Sequence, residues 1–133
     1  MGTGGNAGSQ SSVTIIRGLA VNDIEPRDAL RVVWKELRVS LLLALCLGVA
    51  CFGKLMLIDG LLLGYPYTWD VCFVVALSLF ATIVLAKLVG CLMPILAKLC
   101  KLDPAVVASP FITTIVDVLS LIVYCNIAGV LLS

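Results

Sequence analysis

Residues 111–132 read FITTIVDVLSLIVYCNIAGVLL, with Asp117 the one charged residue among them. As a helix, such a run crosses the hydrocarbon core of a bilayer, which takes about 20 apolar residues. A carboxylate in the middle of that run then needs a reason. Two further stretches have the same character. Val39 to Ile58 is interrupted only by Lys54, and Val71 to Ala97 only by Lys87. Composition agrees. Of 133 residues, 62% are hydrophobic and 13% charged, whereas soluble domains lie near half and a quarter. The chain is therefore expected to be all-α, a polytopic membrane helix bundle.

Several function classes fall away at once. A net charge of +1 gives no basic surface for nucleic acid. Six cysteines occur without a C-x-x-C pair, and histidine is absent, which excludes mixed Cys/His zinc sites. The cysteines read as small apolar residues. The opening MGTGGNAGSQSS has neither the basic region nor the apolar core of a signal peptide. It also lacks the G-K-[ST] ending of a phosphate-binding loop. Its small residues instead suit close helix approach, with Gly2, Gly5 and Ser9 at helical spacing; a flexible linker is the alternative.

Between this opening and the first span lies NDIEPRDALRVVWKELR, residues 22–38. Asp23 is placed to cap a helix and Pro26 to occupy its first turn. Leu30, Val33, Trp34 and Leu37 recur at helical spacing, with Arg27, Arg31, Lys35 and Arg38 on another face. The pattern is that of a basic amphipathic helix lying in the membrane interface, or of a helix packed on another domain. Helices are expected near 26–38, 39–58, 71–98 and 110–131.

Basic residues set an orientation. Arg17, Arg27, Arg31, Lys35 and Arg38 precede the first span, and Lys98 and Lys101 follow the second. The positive-inside rule puts residues 22–38 and the loop 98–109 in the cytoplasm and the C-terminus outside. The loop 54–70 carries Tyr65, Tyr67 and Trp69, suited to an outer aromatic belt. Gly90 and Pro94 are expected to kink or end the second span. Asp103-Pro104 and Ser109-Pro110 each read as a cap followed by proline at the first helical position, giving a short turn before the third span.

On a helix, Thr113, Asp117, Ser120 and Tyr124 form one polar stripe. An intramembrane carboxylate marks a functional site by default. Its alternatives are helix packing through hydroxyls and an ion pair with Lys87. Oxygen donors suit hard divalent cations such as magnesium, and a symmetric dimer would bring two carboxylates to one axis. Two competing classes stay open: a structural or assembly membrane domain with Asp117 paired to Lys87, and a proton-coupled exchanger using Asp117 as carrier. Lys87 itself lies about 11 residues, or roughly 16 Å, from the Lys98 end. It therefore needs a local partner, a cavity or a tilt. It is expected to face away from the axis, so that Lys87→Met preserves or raises stability.

Taken in order, GTGGNAGSQSSVTIIRGLA, WKELRV, LDPAVVASPFITTIVDV and LSLIVY closely resemble the transmembrane domain of the MgtE family of magnesium channels and transporters. The resemblance covers essentially the whole chain. It implies a magnesium-permeable homodimeric pore in the cell membrane, with Mg2+ as the permeant ion, lipid around it and no catalysed reaction. It further implies that residues 1–133 are part of that pore domain. Residues 1–21 would end the family's second helix, 22–38 would link, and 39–58, 71–98 and 110–131 would span. The family's first helix and its cytosolic N and CBS domains lie outside this stretch. By resemblance, Asp117 binds hydrated magnesium, and the Thr113 carbonyl faces the ion. Gly5 and Ser9 line the same site. Asn6, Asp103 and Ser109 match the motif or the approach to the pore. Serine at 9 and 109 stands where the family also carries an amide, and Lys87 has no counterpart role.

Overall fold

The computed structural model describes residues 2–64 and 68–131, without the side chains of Pro26 and residues 107–110. Tyr65 and Tyr67 of the expected aromatic belt lie outside the described residues, while Trp69 is exposed. Four helices account for nearly all of the described chain. These are α1 (Gly2–Ala20), α2 (Ala29–Gly53), α3 (Trp69–Leu99) and α4 (Pro104–Leu131). A π-helical stretch, Lys54–Leu62, continues α2 without a break. Three helical segments are long and apolar enough to cross a membrane: Ala29–Leu62, Trp69–Leu99 and Phe111–Leu131. The protein is an all-α, multi-pass membrane helix bundle.

Two helix boundaries differ from the sequence-based expectation. The segments 26–38 and 39–58 are one helix from Ala29 onward. Nothing in RVSLLL breaks it, since it contains neither proline nor glycine and leucine and arginine are good helix formers. Only Pro26–Asp28 stand apart, as a single 3-10 turn. The fourth helix starts at Pro104 rather than 110, because Asp103 caps it: the Ala105 amide donates to Asp103 Oδ1 at 2.9 Å. Pro104 takes the first helical position, where its missing N–H costs nothing, and Pro110 falls inside the helix. In α3, Pro94 is likewise interior, and the helix runs on to Leu99.

The turns close by local backbone chemistry. After α1, Asn22 adopts φ 55°, a left-handed conformation that asparagine tolerates better than most side chains. The Asp23 and Ile24 amides then donate to the Gly18 carbonyl. After α3, Lys101 adopts φ 58°. The Leu102 amide donates to the Ala97 carbonyl and the Lys101 amide to that of Lys98, a Schellman ending usually built on glycine.

Helix α3 is the axis of the bundle and packs against the other three. Along α1 and α3, Gly4 faces Thr82 and Gly8 faces Ala86 and Gly90, so the two run parallel. Helices α2 and α4 run antiparallel to them. Gly4 and Gly8, four residues apart, meet Thr82, Ala86 and Gly90, which follow one another at the same spacing. A β-carbon on Gly90 would overlap the Gly8 carbonyl, and one on Gly8 would lie 2.8 Å from the Ala86 carbonyl oxygen. Small residues thus bring the two backbones into contact. The α2–α3 seam repeats the pattern with Ser40, Ala44 and Gly48 buried, while Leu41, Leu42, Leu45 and Val49 face outward. Small residues inside and large apolar ones outside is the arrangement expected where lipid, not water, is the solvent.

One buried ion pair joins three helices. Lys87 Nζ on α3 donates to Glu36 Oε2 on α2 at 3.1 Å, and Ser11 Oγ on α1 donates to the same oxygen at 2.7 Å. Glu36 and Lys87 are 9% and 6% exposed, so neither charge is left to solvent or lipid. Lys87 therefore pairs with Glu36, which replaces the sequence-based alternative of a pair with Asp117. It also overturns the expectation for Lys87→Met, because removing the lysine strands a buried carboxylate. Below this network, Ile15, Leu19, Cys91 and Ile95 form an apolar cluster with Val32 and Val33 packed on it. Lys98 Nζ closes that end by donating to the Leu19 carbonyl at 3.0 Å. All six cysteines are free thiols.

Two outcomes are expected for stability in detergent. Lys87→Met lowers unfolding free energy by about 3–5 kcal/mol, and Glu36→Gln with Lys87→Met recovers most of the loss. Gly90→Val costs about 1–3 kcal/mol by forcing α1 off α3. Denaturant titration followed by circular dichroism measures both; a double variant no better than Lys87→Met would refute the pairing.

Candidate functional site

Asp117 projects from the middle of α4 on its exposed face. It makes no hydrogen bond or ion pair with any described residue, in contrast to Glu36. The helix turns beneath it explain this placement. Ile112, Val116 and Ser120 point inward and are buried, so the positions one residue on, Thr113 and Asp117, face away from α3. Ser120, expected on the same polar stripe, turns its hydroxyl back to the Val116 carbonyl at 2.6 Å. It thereby satisfies itself within its own helix.

The glycine-rich helix α1 flanks this position. A β-carbon on Gly5 would lie 3.9 Å from Thr113 Cγ2, so Gly5 and Thr113 are neighbours across the α1–α4 seam. On the adjoining face, Gly4 approaches Val116 and Ser120. Asn6 and Gln10 are exposed one turn apart on α1. Asn6, Gln10, Thr113 and Asp117 are all exposed, and Thr113 and Asp117 share one face of α4. Ser9 is half-buried and lies toward the Lys98 end of the seam. There it lines a groove of about 280 Å³ with Ser12, Arg17, Ala105 and Ile112.

The remaining sequence candidates separate from this group. Asp103 is exposed and acts as the cap of α4, four turns of helix from Asp117. The side chain of Ser109 lies outside the described residues. Tyr124 is partly exposed and, with Gly4, Ser78, Thr82 and Ser120, borders a second cavity of about 210 Å³. Ser78 Oγ is buried there without a hydrogen-bond partner among the described atoms. The structure thus brings Gly5 and Thr113 together across the α1–α4 seam, with Asp117 one turn beyond Thr113 on α4 and Ser9 further along the seam. It does not gather Asp103.

Among the described residues, no three His, Cys, Asp or Glu side chains converge to hold a metal ion. The chain therefore offers at Asp117 a single carboxylate, with Thr113 one turn away on the same helix. Such a set suits a hard cation that keeps its own water rather than a dehydrated ion in a cage. Sequence reasoning missed Glu36, which lies in the segment it read as an interfacial amphipathic helix. The signal was present: Glu36, Ser40, Ala44 and Gly48 recur every four residues, a stripe of small side chains headed by a carboxylate.

Comparison with known proteins covers nearly the whole chain. Residues 1–127 match the family model MgtE, described as a divalent cation transporter. The magnesium transporter MgtE of Thermus thermophilus is 42% identical over 132 residues, covering 99% of this chain and 28% of that protein. That of Bacillus subtilis is 35% identical over 128 residues, covering 96% of this chain and 27% of that protein. The chain thus spans less than a third of the length of these curated relatives.

Because Asp117 is exposed and unpartnered, Asp117→Asn is expected to leave stability within about 0.5 kcal/mol of the parent. Glu36→Gln, by contrast, is expected to be clearly destabilising. A stability loss for Asp117→Asn as large as that for Glu36→Gln would make Asp117 a structural residue.

Proposed function

Because the chain belongs to the MgtE family of divalent cation transporters, we propose that it forms the pore of a magnesium transporter, with Asp117 as the carboxylate that meets the ion. The observation that carries this reading is the pairing state of the acidic residues within the helices: Glu36 and Asp59 lie against lysines, at 3.1 and 2.7 Å, and Asp117 does not. Glu36 is neutralised by Lys87, whereas Asp117 is held outward beside a helix of small residues. A carboxylate is costly in lipid unless it lines water, an ion or another protein surface.

A second copy of the chain completes such a site. Two-fold symmetry about an axis beside α1 and α4 brings two Asp117 carboxylates to one place and removes both from lipid. Gly5 and Thr113, adjacent across the seam, supply backbone oxygen near the axis, and Asn6 and Ser9 supply side-chain donors and acceptors to the ion's water. Magnesium gives up water reluctantly, so selectivity rests on spacing oxygens for the hydrated ion. The ion is cargo. Flow is passive and driven by the membrane potential, about 2.3 kcal/mol per charge per 100 mV and twice that for a divalent ion.

Sidedness follows from where the charges gather. Lys98 bonds the end of α1, so Arg17, the start of α2 with Arg27 and Arg31, and Lys98 with Lys101 share one end of the bundle. That end is cytoplasmic by the positive-inside rule. Asp103 and Ser109 then stand at the inner approach, where the regulatory N and CBS domains of a longer chain would attach.

In the full-length protein, Asp117→Ala is expected to reduce magnesium uptake into proteoliposomes to background. Asp117→Asn should leave at most about a tenth of the flux, a loss of about 1.4 kcal/mol or more. Uptake by Asp117→Asn at the parent rate would refute the role of the charge.

A further inference from the structure

We propose that Ser11, Glu36 and Lys87 are positioning residues for the ion site: they pin the axial register of α1, and through it the place of Gly5 and Ser9 relative to Asp117. This rests on the ion-site reading given above. The case begins with what α1 lacks. Its first three turns bury Gly4, Gly5, Ala7, Gly8, Ser11 and Ser12, and no large side chain is buried before Ile15. Glycine meets backbone at Gly8 and Gly90. Such a surface allows close approach but offers no knob along these turns; the anchors of Ile15, Leu19 and the Lys98 bond lie at the other end of the helix. Beside the ion site, directional bonding supplies the stop.

Among the described residues, Ser11 is the only side chain of α1 hydrogen-bonded to another helix. Its acceptor is a carboxylate oxygen that itself accepts from Lys87. A charged acceptor makes the stronger hydrogen bond, and the acceptor is fixed because its own charge is paired. Glu36 comes from α2 and Lys87 from α3, so the oxygen is held from two sides while Ser11 reaches it from the third. Ser11 lies two residues from Ser9 and six from Gly5 on a rigid rod. A one-residue slip of α1 moves every group on it by about 1.5 Å and turns it by about 100°. Ion-coordinating groups need placing within about 0.5 Å. The pin therefore has leverage on the ion site without touching it.

The ion-pair chemistry also explains why the device is charged. A hydroxyl paired with a neutral acceptor in lipid finds equivalent partners after a slip, including the carbonyl four residues back in its own helix. Ser120 does this. Ser11 does not, because a carboxylate outcompetes a carbonyl.

The test uses full-length protein in liposomes, with uptake read by a magnesium indicator over a range of external magnesium, and again with calcium as competitor. Ser11→Ala is expected to raise half-saturating magnesium about tenfold, as loss of an outer-shell partner does at metal sites, and to weaken discrimination against calcium. Ser11→Thr, which keeps the hydroxyl, should restore most of both. The paired variant Glu36→Gln with Lys87→Met keeps an amide acceptor without charge and should fall between. Half-saturation and calcium discrimination at parent values in Ser11→Ala, with Asp117→Ala inactive, would overturn the pin and leave the ion site standing. Parent behaviour in Asp117→Ala would overturn the ion site itself. Equal loss in Ser11→Ala and Ser11→Thr, matched by loss of folded protein, would reduce Ser11 to a packing role and also overturn the pin.

Discussion

Backbone contact between α1 and α3, at Gly8 and Gly90, is the constraint on which the other distances depend. It draws α1 into the bundle far enough that Gly5 reaches Thr113 on α4, and that Ser11 reaches Glu36 on α2. Glycine helices are poor helices in water, each residue costing about 0.8–1 kcal/mol relative to alanine. In lipid the helix has no alternative partner for its backbone groups, so propensity matters little and contact distance matters most. Four glycines in α1's first two turns serve proximity rather than flexibility.

Two acidic residues in one membrane bundle meet opposite environments. Glu36 is enclosed and shares its charge with Lys87 and Ser11. Asp117 stands on the exposed face of α4 without a partner among the described residues. The difference arises from helix phase, not residue type. Glu36 falls on the inward stripe with Ser40, Ala44 and Gly48, while Asp117 falls one position past the inward Val116. A single-residue shift of phase separates a residue that holds the bundle from one that stands exposed on it.

The sequence declared the fold class and the three spans because lipid demands long apolar runs, and those are visible without any contact. It declared Asp117 because one charge in such a run stands out. Asp103 was legible as a cap, since Asp-Pro at a helix start has a local cause. Long-range pairing was not legible. Lys87 was seen to need a partner, yet Glu36 lay 51 residues away, in a segment whose charges read as an interfacial face. That segment has two stripes: Trp34 and Leu30 face outward, and Val33 and Glu36 face inward. Periodicity marked the apolar positions and passed over the acid among them. The boundary between linking helix and span was misplaced for a related reason, because a change from charged to apolar composition is not a change of backbone. Pro110 looked like a start because its cap residue precedes it; the earlier cap at Asp103 prevailed.

The buried pair has a consequence for how the chain enters the membrane. Glu36 belongs to α2 and Lys87 to α3, and each alone carries a charge that the other compensates. Together they carry none. Helices α2 and α3 run antiparallel and are joined by a short connection, so the pair can close as soon as the second helix emerges. The natural unit of insertion is therefore a helical hairpin rather than a single helix. Residues before it in the chain, including α1, find their acceptor only once that hairpin is complete.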